Sequence, residues 1–340
     1  MISPMRWLVG GSLVVAGGGG LVFAGLMTMV LWSDPQFAAA PDVSPEALAK
    51  SGISFEQPYP SEVRSFVLED GTTLRGQYLK AAGAQPRTTV VLVHGILGAG
   101  FLLNETSGLL REAVAQDSDA EVVAIDLRGH GFSDGARGDV DRIGQYEEDL
   151  GGVVAQLRST PAGRRVILAG HSMGGGIALR YAADPSLPAV DGYLLLAPYL
   201  GWDSPTTRKQ PAASGSQDFL QVHLPRILGL KALNAVGITS FNGLRTQFFN
   251  LPPELPHRSY SYRASESMAP EDVGDALVAV RAPLEVIVGS DDEAFLAAEY
   301  EPLIARYSKG QVVTIAGATH NGVTRDTRTI AAVREWTGRL

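Results

Sequence analysis

The pentapeptide Gly170-His171-Ser172-Met173-Gly174 follows directly on the apolar run Val166-Ile167-Leu168-Ala169 and leads into Gly175-Gly176-Ile177-Ala178-Leu179-Arg180-Tyr181. A β-branched run, a Gly-x-Ser-x-Gly turn and a small-residue stretch constrain this part of the chain to a strand that turns sharply into a helix. Such a turn holds its serine in a sparsely allowed backbone conformation, and the glycines on either side let strand and helix approach closely. Ser172 Oγ is therefore expected to stand exposed above a sheet, as a nucleophile.

A serine hydroxyl is a poor nucleophile at neutral pH and needs a base within hydrogen-bond reach, itself oriented by a third group. Downstream, Val286-Ile287-Val288-Gly289-Ser290-Asp291-Asp292-Glu293 reads as a buried strand entering an acidic loop. Val312-Val313-Thr314-Ile315 then runs into Ala316-Gly317-Ala318-Thr319-His320. The order along the chain is Ser, Asp, His. Asp291 and Asp292 are adjacent, and neighbours on a loop cannot both face one imidazole.

Further apolar runs predict strands near Val63–Leu68, Thr73–Leu79, Val90–Val93, Val122–Ile125, Val166–Leu168, Tyr193–Leu196, Leu284–Val288 and Val312–Ile315, with helical stretches between most of the later ones. Strands alternating with helices imply an α/β fold: a mostly parallel twisted sheet of about eight strands covered on both faces. The first two strands flank Asp70-Gly71, a hairpin signal, so the sheet is expected to begin antiparallel.

With these residues in place, the chain resembles the α/β-hydrolases of the monoacylglycerol lipase, lysophospholipase and serine aminopeptidase-like group. Val90-Val91-Leu92-Val93-His94-Gly95-Ile96-Leu97-Gly98 is similar to the group's strand and His-Gly loop, whose backbone amide shares the oxyanion with that of the residue after the serine. The resemblance thus implies the Ile96 and Met173 N–H groups as oxyanion donors. It also implies Asp292 as the acid, three residues after the strand-ending Gly289, with Asp291 and Glu293 left to solvent. Asp126-Leu127-Arg128-Gly129-His130-Gly131-Phe132-Ser133-Asp134-Gly135 resembles a loop that braces the sheet beneath the site. The likeness covers roughly residues 61–340 and is weakest between Gly201 and Ser261. It divides that part into a core, 61–200 and 269–340, and a lid insertion, 201–268.

The insertion carries Trp202, Phe219, Phe241, Phe248, Phe249, Tyr260 and Tyr262 among several prolines, and its length implies a role over the site. Those aromatics either line an apolar substrate tunnel or form the insertion's own core. Its polar front, Ser204 to Asp218, is expected to be a mobile edge.

From Trp7 through Trp32 there is no charged residue, long enough for a transmembrane helix. Arg6 precedes the stretch and Asp34 follows it, so residues 1–6 are expected in the cytoplasm and the catalytic domain on the extracytoplasmic, periplasmic side. A cleaved signal peptide is the competing reading; the apolar stretch exceeds the usual length, and Pro41 follows the Ala38-Ala39-Ala40 site. Residues 33–60, rich in Ala, Pro and Ser, are expected to tether the domain near the membrane surface.

The chain has no cysteine, which removes a disulfide framework and a thiol nucleophile. A net charge of -8 without a basic run argues against nucleic-acid binding. No P-loop, dinucleotide glycine pattern or clustered Cys/His ligands occur, so neither a cofactor nor a metal is implied. The expectation is a membrane-anchored serine hydrolase cleaving acyl esters such as monoacylglycerols or lysophospholipids, with Ser172, Asp292 and His320 as catalytic residues. An aminopeptidase, amidase or acyltransferase would use the same three residues, and Glu254 and Glu266 are the insertion's candidates for holding a substrate amine. A noncatalytic ligand-binding protein on the same fold is the alternative of another class.

Overall fold

The structure, a computed structural model, describes residues 21–37, 42–50, 52–83, 86–115, 119–159, 164–209, 219–255 and 257–340. In chain order the strands are β1 (Glu62–Val67), β2 (Thr73–Leu79), β3 (Thr88–Val93), β4 (Ala120–Asp126), β5 (Arg165–His171) and β6 (Gly192–Leu196). They continue with β7 (Leu220–Val222), β8 (Arg245–Phe249), β9 (Ser259–Ser261), β10 (Leu284–Gly289) and β11 (Gln311–Ile315). The helices that position the site are α1 (Asn104–Val114), α2 (Gln145–Arg158), α3 (Met173–Ala183) and α4 (Leu224–Ala235). They are followed by α5 (Tyr262–Glu266), α6 (Val273–Ala279), α7 (Tyr300–Tyr307) and α8 (Thr327–Thr337).

The main sheet has eight strands in the order β1-β2-β4-β3-β5-β6-β10-β11. β1 pairs with β2, and β2 with β4, antiparallel; from β4 to β11 every neighbour is parallel. The inner parallel strands β3, β4, β6 and β10 are buried end to end and rich in Val, Ile and Leu, because helices cover both faces of such a sheet. Side chains alternate between the two layers. Val91, Val93, Val166 and Leu168 join one core with Tyr146 and Leu150 of α2, Ile177 of α3, Leu277 of α6 and Ile304 of α7. Val90, Leu92, Ile167 and Ala169 join the other, with Leu110 of α1 and Val333 and Trp336 of α8. Each such buried Val or Leu contributes about 1.5–3 kcal/mol relative to exposure, so a one-residue register slip would reverse both layers at once.

The insertion builds a small sheet of its own, β7-β8-β9, antiparallel throughout, together with α4. This sheet was not foreseen from the sequence. Phe249 and Tyr260 from its strands are buried in the main core, and Tyr262 is buried against α4, so these three aromatics pack as core, whereas Trp202 is exposed. The polar front also differs from expectation. Ser204, Thr206 and Thr207 are buried, Thr207 forms a β-bridge with Phe295, and Leu296 N–H donates to Thr206 O at 2.8 Å. The hydroxyls of Ser204 and Thr207 find partners within the turn, which is why a polar segment can be packed rather than mobile. Residues 210–218 of that edge lie outside the described residues.

Residues 33–60 do not form a free tether where they are described. Tyr59 exchanges two hydrogen bonds with buried Asn104, Phe55 packs against Phe101, and Gly52 O accepts from Arg325. Residues 1–20, which include residues 7–20 of the apolar stretch Trp7–Trp32, lie outside the described residues, and residues 21–30 are helical. Among the described residues no helix is long and apolar enough to cross a membrane.

Candidate active site

Ser172 sits between β5 and α3 with φ 54° and ψ −118°, a positive φ that a side chain rarely tolerates. The surroundings over-determine it: Ser172 N–H donates to Leu196 O at 3.0 Å, and Ser172 O accepts from the amides of Gly175, Gly176 and Tyr199. The turn also needs its glycines, since a Cβ on Gly170 would stand 2.2 Å from Gly174 O and one on Gly174 2.3 Å from Val93 O. These contacts bring β5, α3 and the end of β3 to one point.

The expected base, His320, and the expected acid, Asp292, lie on the loops after β11 and β10. His320 Nδ1 lies 2.9 Å from Asp292 Oδ2. Asp292 is buried; although burial raises its pKa, the hydrogen bond from His320 and the Phe295 and Ala294 amides hold the carboxyl below its usual range. Those two amides both donate to Oδ1 at 2.8 Å. Each carboxylate oxygen therefore has an assigned duty, and Oδ2 is left for the imidazole.

The backbone of His320 is held as firmly as its ring. Its N–H donates to Glu293 Oε2 at 2.9 Å, its carbonyl lies 3.1 Å from His171 Nε2, and Phe295 packs edge-on against the ring. Glu293 is exposed, as expected of a residue left to solvent, and its carboxylate in addition holds the His320 backbone. Asp291, also exposed, accepts a hydrogen bond from Ser290. Burial pushes the His171 imidazole down to about 3, so it stays neutral and donates its Nε2 proton to the His320 carbonyl. The rings of His171 and His320 are 4.9 Å apart. Ser172 Oγ itself has no hydrogen-bond partner among the described residues. Unliganded sites commonly leave this contact open until substrate tightens it.

The His-Gly loop, Gly95-Ile96-Leu97-Gly98, passes so close to the serine that a Cβ on Gly95 would stand 3.3 Å from Ser172 Cβ. His94, fully buried, donates from Nδ1 to Gly95 O at 2.8 Å and accepts from Leu127 N–H at 3.2 Å. Leu97 has a positive φ of 58°. Its N–H is taken by Tyr260 Oη at 2.8 Å, and that hydroxyl lies 2.9 Å from His130 Nε2. Because His130 Nδ1 faces Arg128 O at 2.9 Å and donates to it, Nε2 must accept, and Tyr260 donates its proton there. Leu97 N–H is thus engaged, whereas the Ile96 and Met173 amides, the expected oxyanion donors, make no hydrogen bond among the described residues.

The Asp126–Gly135 loop serves as a brace. Asp126 accepts from Gly100 N–H and Phe132 N–H, Ser133 ties Asp126 O to β2, and Arg128 is buried in a bidentate pair with Asp149. His130, its most reactive-looking residue, reaches the site through Tyr260 and packs ring to ring, at 4.8 Å, against His94 of the His-Gly loop. The Tyr260 link joins a loop after β4, an insertion strand and the oxyanion loop, three segments distant in sequence, and no local pattern announces it. Tyr260→Phe should leave Leu97 N–H and His130 Nε2 buried without partners, costing about 1–3 kcal/mol of stability. Esterase kcat should fall by about tenfold with KM little changed, since a misplaced oxyanion donor acts on the transition state. Parallel steady-state kinetics and urea melts on the two proteins check this.

A set of interior imidazoles gives a pH signature. Burial lowers the pKa of His94, His130, His171 and His257 below 6.5, to about 3 for His171 and His257. Depressed histidines are neutral in the folded chain while the unfolded chain takes up protons, so their stabilisation is complete above about 6.5 and lost as pH falls toward about 3. Each contributes a slope of up to about 1.4 kcal/mol per pH unit within that window. The melting temperature should fall steeply from pH 6.5 to pH 5 and stay nearly level from pH 7 to pH 8; a flat profile across pH 5–8 would contradict this.

The sequence model of the serine aminopeptidase S33 hydrolase family matches residues 84–324. The chain belongs to that family. The match spans the elbow, the acidic loop, the His-Gly loop, the brace, the insertion and His320. The S33 chain is 33% identical over 122 residues to a monoglyceride lipase homolog of Monkeypox virus, covering 35% of this chain and 41% of that protein. It is 39% identical over 102 residues to a monoacylglycerol lipase of Mycolicibacterium smegmatis, covering 29% of this chain and 33% of that protein. It thus spans less than half the length of these curated relatives. Among solved structures, the alpha/beta hydrolase GrgF from Penicillium sp. sh18 superposes with a TM-score of 0.57 at 17% identity, over 82% of this chain and 98% of that one. At that identity the likeness establishes the α/β-hydrolase fold.

Proposed function

We propose that this protein is a membrane-anchored serine hydrolase that cleaves acyl esters through an acyl-enzyme on Ser172. The observation that supports the reading is the His320–Asp292 pair, 2.9 Å apart, whose His320 carbonyl is held by His171, the residue immediately before the positive-φ serine. In this reading Ser172 Oγ attacks the acyl carbonyl while His320 Nε2 takes its proton, and the Ile96 and Met173 amides receive the developing oxyanion. His320 then returns the proton to the leaving alcohol, Asp292 stabilising the imidazolium. Water, activated by the same imidazole, releases the acid. Residues 201–268 act as the lid.

Monoacylglycerols and lysophospholipids are the proposed substrates. The two relatives named for monoglyceride and monoacylglycerol lipase activity support this choice, as does the uncharged stretch Trp7–Trp32, which would bring the enzyme to lipid. In the same proposal the catalytic part lies on the periplasmic side, a reading supported by the positive-inside bias of Arg6. A peptidase would need a buried carboxylate free for the substrate amine. Glu254 is exposed, and Glu266, whose pKa burial raises, lies 3.8 Å from Lys231. The test is a turnover panel with full-length protein: 1-oleoylglycerol, a lysophosphatidylcholine and an aminoacyl anilide. Release of fatty acid from either lipid, with the anilide left intact, is expected; anilide cleavage with both lipids untouched overturns the ester reading.

A further inference from the structure

The first turn of α4 is spent on the end of the apolar N-terminal segment. Arg226, a buried cation, donates from Nε to Val30 O at 2.8 Å and from Nη2 to Trp32 O, while Nη1 reaches Asp34 Oδ1 at 2.7 Å and Arg245 O at 2.6 Å. His223 accepts the Arg226 N–H on Nδ1, so its Nε2 carries the proton and faces Trp32 O and Ser33 O at 3.3 and 3.2 Å. A helix that ends at residue 30 leaves carbonyls without intrahelical partners, and a guanidinium there satisfies them and suits the negative end of the helix dipole.

Packing makes the same junction. Val30 is fully buried against Leu230, Leu233 and Tyr262. A Cβ on Gly229 would stand 2.8 Å from Val30 Cγ2 and 3.2 Å from Leu26 O, so the contact depends on glycine at that position. Around this joint the segment presents apolar side chains outward: Leu21, Val22, Phe23, Leu31 and Trp32 are all exposed. These residues belong to a 26-residue run without a charge, and a lipid bilayer is the surroundings that such a run fits. At its other end the insertion touches the site, through Tyr260 on the oxyanion loop and Arg208 on the Asp292 carbonyl.

We infer that Arg226 and His223 fasten the lid to the membrane segment, so that seating of that segment in a bilayer holds the lid at the lipid surface and directs the site toward esters carried in the bilayer. This rests on the membrane-anchored reading above. The joint gives the enzyme a preference for bilayer substrate over dissolved substrate that neither the anchor nor the catalytic residues supply alone.

The test uses full-length protein, phosphatidylcholine vesicles carrying 1-oleoylglycerol, and the water-soluble ester p-nitrophenyl butyrate, with flotation as a separate readout of membrane binding. Arg226→Gln is expected to float and to cleave the soluble ester as the unsubstituted protein does, while its vesicle-to-soluble rate ratio falls by about tenfold, the scale of lost orientation. An unchanged ratio in a folded variant overturns the inference. Failure of the unsubstituted protein to float overturns the membrane reading and the inference with it, so the two failures are distinct. Should Arg226→Gln not fold, His223→Gln, which removes the ring that faces the Trp32 and Ser33 carbonyls, serves instead. A fall in its vesicle-to-soluble ratio supports the joint; an unchanged ratio in the folded variant overturns it.

Discussion

Ser172→Ala is expected to lower kcat for acyl-ester hydrolysis by about 10⁴-fold or more, with the fold and thermal stability retained. The magnitude follows because nucleophile and base act as a unit, so that removing one forfeits nearly all that the unit supplies, leaving oxyanion stabilisation and binding. Stability should hold because the strained turn is fixed through the Ser172 backbone, whose N–H and carbonyl make four hydrogen bonds that the hydroxyl does not share. Steady-state assays beside thermal melts separate the two effects. Residual turnover within tenfold of the unsubstituted protein would place the nucleophile elsewhere.

Asp292→Asn should cost about 10⁴-fold in kcat, through the tautomer of its partner. Two backbone amides, from Ala294 and Phe295, already fix Oδ1 as an acceptor. An amide side chain satisfying both must keep its oxygen there and turn its NH₂ toward His320 Nδ1, which is then obliged to accept. The imidazole proton moves to Nε2, the atom that must receive the serine proton, and the base is blocked without any change of shape. A loss that eases at high pH would fit this account. Equal activity of the two proteins at neutral pH would remove Asp292 from the catalytic set and return attention to Asp291 and Glu293.

Much of the fold was legible because parallel strands buried on both faces are written as short apolar runs, and all eight expected strands of the main sheet occur within two residues of their sequence positions at either end of most runs. The elbow was legible for a different reason: only glycines fit where Gly170 and Gly174 meet backbone atoms, so the motif is a steric record. The insertion was not. Its strands β7 and β9 have three residues each, too short to show a period, and its aromatics are shared between two cores. Nor could the sequence show that residues 52–59 lie along the body, since a Pro- and Ala-rich composition describes a linker whether or not Asn104 captures Tyr59.

Within the candidate site, Ser172, Asp292 and His320 were readable as a nucleophile in a turn and two polar residues closing apolar strands. The supports around them were not, because each acts across distance in the chain: Glu293 on the His320 amide, His171 on its carbonyl, Tyr260 on Leu97. Such second partners hold the geometry that the reacting groups need, and they become visible only when the loops are folded together.

The most direct measurement is covalent labelling of full-length protein with a fluorophosphonate probe, followed by digestion and mass spectrometry, with Ser172→Ala and His320→Ala in parallel. The account predicts one adduct, on Ser172, absent from the first variant and strongly reduced in the second. A folded protein that takes no label, or takes it on another residue, would contradict the assignment of an activated nucleophile at the elbow.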